Sequence, residues 1–181
     1  MAETVVAPTA LKSIALVGNP NCGKTALFNL LTGARQKVAN YAGVTVERKV
    51  GTARMVNGQV ISVVDLPGSY SLTPATPDEQ VMLEVIEGRR AGEAAPDVIV
   101  AVVDATNLRM NLRLVLELIG LGKPMIVALN MTDVARSHGL AIDVGRLSAE
   151  LGCPVVETVA VQQDGHAALL VQLQQHLEGA T

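Results

Sequence analysis

The chain has 181 residues, a formal net charge of −3, 49% hydrophobic and 2% aromatic side chains, and no Trp. That length suits one domain with a sizeable core, built from aliphatic rather than aromatic side chains. With no basic block beyond Arg89-Arg90 and no apolar run near the ~20 residues of a membrane-spanning helix, a nucleic-acid surface and a bilayer span are both disfavoured.

Cys22 and Cys153 stand far apart and outside any C-x-x-C pair, so they read as free thiols of a reducing compartment. Residues 1–11 are small, polar or Pro-containing and lack the apolar core of a signal peptide; a disordered leader is expected there. The apolar run Ser13 to Val17 predicts the first strand. It passes into Gly18-Asn19-Pro20-Asn21-Cys22-Gly23-Lys24-Thr25, with the spacing G-x-x-x-x-G-K-[ST], and then into a helical pattern from Ala26 that Gly33 ends. Strand, glycine loop and helix in that order make a phosphate cradle. The glycines let successive N–H groups turn inward, and the helix N-terminus adds partial positive charge. Lys24 offers a cation to the outer phosphates and Thr25 a hydroxyl to Mg²⁺, so the loop is read as the site of a nucleoside triphosphate.

Residues 34–44 lack periodicity and, with Asn40, Tyr41, Ala42 and Gly43, read as a mobile loop. Two extended runs, Thr45 to Val56 and Gln59 to Asp65, flank Asn57-Gly58, a strong hairpin signal. Asp65-Leu66-Pro67-Gly68 closes the second run. Ser69 to Asp78 is expected to be flexible, with a helix from about Asp78 to Gly88. Beyond a Gly/Ala/Glu linker, Asp97 to Asp104 reads as a strand buried on both faces, Asn107 to Leu121 as a helix and Pro124 to Asn130 as a buried strand. Ile142 to Leu151 reads as a helix, Pro154 to Val159 as the last strand and His166 to Leu177 as the last helix. The alternation predicts a doubly wound α/β domain over 12–178. Its sheet is mostly parallel and six-stranded, with one antiparallel edge strand and helices on both faces. Ligands of such sheets lie at the carboxyl ends of the strands, where each motif falls.

Thr45 and Asp65 follow Thr25 at successive intervals of twenty residues. With Thr25 they offer the hard oxygen ligands that Mg²⁺ between nucleotide phosphates requires, directly or through water. The plain alternatives are an exposed strand-end Asp capping a turn and an incidental Thr. The Gly68 backbone N–H can bond a γ-phosphate and let go after hydrolysis, making 34–48 and 66–78 candidate switch loops. In Asn130-Met131-Thr132-Asp133 the Asp133 carboxylate can accept from the ring N–H and the exocyclic amino group of guanine. Adenine presents neither, and sites of that kind discriminate by about 10⁴ or more. A helix N-cap is the alternative, but downstream of a phosphate loop the pattern points to GTP over ATP. His138, His166 and His176 show no ligand spacing, so no iron site is assigned.

G-N-P-N-C-G-K-T, D-L-P-G and N-M-T-D together resemble the motif set of translation-factor-like GTPases. With Gly33 to Glu47, Gly68 to Leu72 and Val103 to Leu112, the chain more specifically resembles the N-terminal cytosolic G domain of FeoB ferrous iron transporters, over about residues 12–178. The resemblance implies a P-loop GTPase fold, hydrolysis of GTP to GDP and phosphate, and a regulatory role in iron uptake at the cytoplasmic face of the bacterial inner membrane. It implies a membrane-embedded transporter region of the same polypeptide as partner, lying beyond this sequence, and small cytosolic proteins as further candidates, with no nucleic acid. It assigns the phosphates to Gly18, Asn19, Asn21, Cys22, Gly23, Lys24, Thr25 and Ala26. Gly43, Val44 and Thr45 would close over the nucleotide beside Asp65 and Gly68. Asn130, Met131 and Asp133 would read the base, with backbone N–H groups near Ala160 and Val161 toward its oxygen. Thr25, Thr45 and Asp65 would hold Mg²⁺, Asp65 through water, and Lys24, Thr45 and Gly68 would serve catalysis. Some relatives of this class are stimulated by K⁺, which would be held by Asn21 and by switch-loop carbonyls.

Two departures bear on the site. Met131 replaces the usual Lys of the base motif and no Lys lies beside Ala160, which implies weaker nucleotide retention; Cys22 replaces a small polar residue at a position that contributes mainly backbone. Ser69 stands where many GTPases carry a water-orienting Gln, so slow intrinsic hydrolysis is expected. A cation at the transition state is worth about 10³ to 10⁵ in rate, and K⁺ through Asn21 is the candidate substitute. The competing reading is a soluble GTPase acting as an assembly or interaction module associated with RNA or the ribosome, against which the lack of basic patches speaks.

Overall fold

The computed structural model describes residues 10–33 and 35–179. Of the leader expected over 1–11, only Ala10 and Leu11 fall among these, and both are exposed. In chain order the elements are β1 (Ser13–Gly18), α1 (Lys24–Thr32), β2 (Gln36–Asn40), β3 (Glu47–Arg54), β4 (Val60–Asp65), α2 (Pro77–Glu87) and β5 (Val98–Asp104). After a 3-10 turn at Ala105–Asn107 come α3 (Leu108–Ile119), β6 (Met125–Asn130), α4 (Thr132–Ser137), α5 (Val144–Leu151), β7 (Val155–Glu157) and α6 (Ala167–Gly179). The strands form one sheet in the order β2-β3-β4-β1-β5-β6-β7. β4, β1, β5, β6 and β7 run parallel, so their carboxyl ends share one edge, while β3 pairs antiparallel with both its neighbours.

Local chemistry sets the element boundaries. Thr76 and Glu79 form a reciprocal capping box that starts α2, with Pro77 in its first turn, and Gly88 ends the helix in the left-handed region. Asp143 Oδ1 accepts from the Arg146 N–H at 2.9 Å, which starts α5 at Val144 rather than Ile142. The central strands send alternate residues to opposite faces. Ile14 and Leu16 pack with Leu27, Phe28 and Leu31 of α1 and Leu169, Leu173 and Leu177 of α6. Ala15 and Val17 pack with Val81, Met82, Val85 and Ile86 of α2 and Leu114, Val115 and Leu118 of α3. Phe28, the one phenylalanine, is fully buried, a contribution of about 2–3 kcal/mol.

The sheet has seven strands, not six, and the stretch expected as a mobile loop contains the additional one. All five side chains of β2 are exposed, so it leaves no apolar alternation in the sequence; antiparallel pairing with β3, from Gln36 opposite Gly51 to Asn40 opposite Glu47, holds it instead. β3 is thereby moved from the edge to the second position. The hairpin at Asn57-Gly58 is present, closed by Met55 N–H to Gln59 O at 2.8 Å with Gly58 at φ 85°. Its tip meets α6: the Asn57 N–H donates to Gln174 Oε1 at 2.9 Å. The short helix α4, which begins at Thr132 within N-M-T-D, has no periodic signature of its own. Among the described residues no helix is long and apolar enough to cross a membrane.

Candidate nucleotide-binding site

β1 ends at Gly18, and the chain turns through Asn21 (φ 65°) and Gly23 (φ 88°) before α1 begins. Both flanking glycines are required sterically. A Cβ on Gly18 would lie 2.7 Å from Cys22 Sγ and from Val102 O, and one on Gly23 would lie 2.1 Å from Asn130 Nδ2. Helix α1 starts without a side-chain cap from the described residues and without an acidic residue in its first turn. Its first N–H groups and its positive dipole end are therefore left for an anion. Asn19, Pro20, Asn21, Gly23, Lys24, Thr25, Ala26, Gly68 and Met131 line a cavity of about 480 Å³. An adjoining cavity of about 450 Å³ is lined by Lys24, Thr25, Glu47, Lys49, Asp65, Leu66, Pro67, Gly68, Thr76 and Asp78. Lys24, Thr25 and Gly68 belong to both and join them.

The Lys24 ammonium is paired with the Asp65 carboxylate at the end of β4, and both side chains are largely withdrawn from solvent. Asp65 is only 5% exposed, which removes the reading of it as an exposed turn cap. Beyond it the backbone lies on the phosphate loop. Ser69 N–H donates to Gly18 O at 3.1 Å, and a Cβ on Gly68 would come within 3.3 Å of Pro20. The buried Ser69 hydroxyl is 2.6 Å from Ser71 O and 3.1 Å from Glu79 Oε1, and it accepts from the Ser71 N–H at 3.2 Å. It is thus committed to the shape of its own segment. Glu117 of α3 holds the same segment from outside, accepting from Leu72 N–H at 2.5 Å and Ser71 Oγ at 3.0 Å. These bonds, led by the Leu72 N–H, keep the Glu117 carboxyl below the usual range. Ser69 to Asp78, expected to be flexible, is therefore tied at several points. Thr-x-x-Glu at 76–79 carried a readable signal; Glu117 carried none.

Asn130 closes the side expected to hold the base. Its Nδ2 donates to Cys22 O at 3.1 Å, and its Oδ1 accepts from Ala160 N–H at 3.0 Å and Thr158 Oγ1 at 3.2 Å. One buried carboxamide thus ties the phosphate loop to the loop after β7. The Ala160 N–H, expected to point to the base oxygen, is spent on Asn130, and Val161 is 84% exposed. Met131 sits in the left-handed region at φ 62°, its terminal methyl over Gly23, and Asp133 lies half-buried in the first turn of α4. Burial pushes the Cys22 thiol up to about 11 despite the nearby Lys24.

Thr45 lies outside both cavities. Tyr41 N–H donates to Val46 O at 2.9 Å and Val44 N–H to Tyr41 O at 3.2 Å, closing a tight loop between two buried anchors, Tyr41 and Val46. Gly43 and Thr45 are exposed and Val44 packs on the core, while Glu47 and Lys49 line the cavity where Thr45 was expected.

The sheet order and the glycine loop at the end of β1 define a P-loop domain of the GTPase fold. The family model described as ferrous iron transport protein B matches residues 12–173. The chain belongs to this family, FeoB, and is its G domain. It is 51% identical over 168 residues to the Fe(2+) transporter FeoB of Salmonella typhimurium, covering 91% of this chain and 21% of that protein. The cytosolic domain of L. pneumophila FeoB is 42% identical with a TM-score of 0.82, over 91% of this chain and 68% of that one. A mutant of S. thermophilus NFeoB bound to GDP is 44% identical with a TM-score of 0.79, over 92% of this chain and 61% of that one.

Proposed function

We propose that this domain binds GDP and GTP with Mg²⁺, hydrolyses GTP, and through its nucleotide state regulates ferrous iron uptake at the cytoplasmic face of the membrane. The observation that carries the reading is the convergence of Lys24, Thr25, Asp65 and Gly68 on two joined cavities at the open N-terminus of α1. The relative bound to GDP supports it. As phosphate binds, the Lys24 ammonium exchanges Asp65 for phosphate oxygens, which frees the carboxylate. The donor set fits Mg²⁺, since the Thr25 hydroxyl and Asp65 carboxylate are hard oxygens facing one cavity. Mg²⁺, when bound, neutralises charge on the β- and γ-phosphates. Thr45 joins these ligands only after its loop has opened. The Gly68 N–H senses the γ-phosphate, and Asp133 selects guanine by accepting two hydrogen bonds.

With Ser69 held by its own segment, the charge developing on the phosphate needs another source of stabilisation. Asn21, exposed at the cavity rim, supplies a carboxamide oxygen suited to K⁺. Isothermal calorimetry tests the nucleotide reading: Mg²⁺-dependent uptake of GDP and GTP that ATP does not compete is expected, and its absence overturns it. Single-turnover hydrolysis faster in KCl than in NaCl is expected, and equal rates remove the role of K⁺.

A further inference from the structure

We infer that Arg90 is a positioning residue that clamps the Tyr41–Val46 loop in the form that keeps Thr45 out of the nucleotide site, so that Arg90 must release Ala42 before the GTP-bound arrangement can form. The inference rests on the reading of Thr45 as a residue of that arrangement.

Arg90 lies just past the end of α2 and reaches sideways to the loop. Its Nη2 donates to Ala42 O at 2.7 Å, and its guanidinium carbon stands 5.8 Å from the centroid of the Tyr41 ring. On the other side, Nη1 donates to Glu84 Oε2 at 2.9 Å and the Arg90 N–H to Glu84 O at 3.2 Å, so the clamp is anchored on α2. The Arg90 side chain is only 15% exposed, which strengthens both contacts relative to a surface cation. Tyr41 itself is 2% exposed, yet its hydroxyl has no hydrogen-bond partner among the described residues. A buried hydroxyl left unpaired opposes the closed form. Apolar burial of Tyr41 and Val46, the two backbone bonds within the loop and the two Arg90 contacts together retain the loop, and of these the Arg90 contacts come from outside it.

The loop has the makings of a two-position element. Gly43 is at φ 77° with open space around it, and Ala42 and Thr45 face solvent, so the core packing that backbone rotation between them must give up is that of half-buried Val44. Because Glu84 belongs to the helix that follows the Gly68 segment, movement of α2 shifts the anchor of Arg90. Loss of the clamp and rearrangement behind Gly68 are in this way joined mechanically.

The test compares wild type with Arg90→Ala. Removing one charge-assisted hydrogen bond and one cation–ring contact should raise the affinity for a non-hydrolysable GTP analogue over that for GDP by about three- to thirty-fold, with GDP affinity unchanged. Hydrogen exchange of the 41–46 amides should quicken in R90A, and their protection in wild type should change on exchange of GDP for the analogue. An unchanged or lowered affinity ratio with GDP binding intact overturns the clamp, as does equal protection of 41–46 in the two wild-type complexes. The wild-type comparison decides alone should R90A fail to fold. Failure of wild type to bind either nucleotide would instead overturn the proposed function, so the two failures are distinguishable.

Discussion

Asn130 and Cys22, 108 positions apart in the chain, share a buried hydrogen bond of 3.1 Å from Nδ2 to the backbone oxygen. Through it the strand that carries the base-side motif fixes the shape of the phosphate loop. Asn130→Ala removes this bond and strips Ala160 N–H of its acceptor. The expected loss is about 2–3 kcal/mol, seen as a melting temperature lower by about 5–10 °C, with GDP affinity down at least tenfold. Thermal melts and calorimetry on the same samples check both.

Gly23→Ala combines two penalties, a left-handed backbone at φ 88° and a methyl 2.1 Å from Asn130 Nδ2. Strain of about 1–3 kcal/mol is expected, together with displacement of Asn130 and loss of nucleotide binding of roughly a hundredfold. Retained affinity would mean that the loop and Asn130 move independently.

Asp133→Ala should leave phosphate binding in place while abolishing the choice of purine. The preference for GTP over ATP in competition against a fluorescent GTP analogue should fall by about a hundredfold or more.

The Cys22 thiol, raised by burial from the ordinary 9.0 to about 11, is neutral in the folded chain where the unfolded chain would already ionise. Its contribution is fully present below pH 9.0 and is lost as pH rises toward about 11. Urea melts of wild type and Cys22→Ala across that window should converge as the wild type loses its advantage. In the native protein at pH 8, iodoacetamide should reach half-buried Cys153 faster than Cys22, as read by mass spectrometry.

Glu117→Ala frees Ser71 and Leu72, so amide exchange over 69–73 should quicken while α3 stays protected. Acid should mimic the mutation. With the carboxyl depressed below 4.5, chiefly by the Leu72 N–H, its stabilisation is present above 4.5 and lost as pH falls through the lower folded value. Exchange of 69–73 in wild type and E117A should accordingly become alike at low pH.

The parallel core was legible because β1, β5 and β6 are apolar on both faces and alternate with helices of clear period. The phosphate loop was legible because its glycines are demanded by the close approaches described above. β2 escaped notice because backbone pairing, not side-chain burial, makes it a strand. Arg90 and Glu117 escaped because each works at long range, 48 residues from Ala42 and 45 from Leu72, and an Arg past a helix end or a Glu on a helical pattern reads as a solvated surface residue. Thr45 was identified by its interval from Thr25, and an interval says nothing of where the loop places it.

Among the described residues, strand β2 leaves one rim of the sheet bare over about 17 Å of extended backbone. Such a rim invites another extended segment to zip onto it, and proteins guard against this with brevity and charge. Five residues with Lys37 among them meet both conditions. Replacing that lysine with valine would place Val beside the already exposed Val38 and turn a guarded border into a template for self-association.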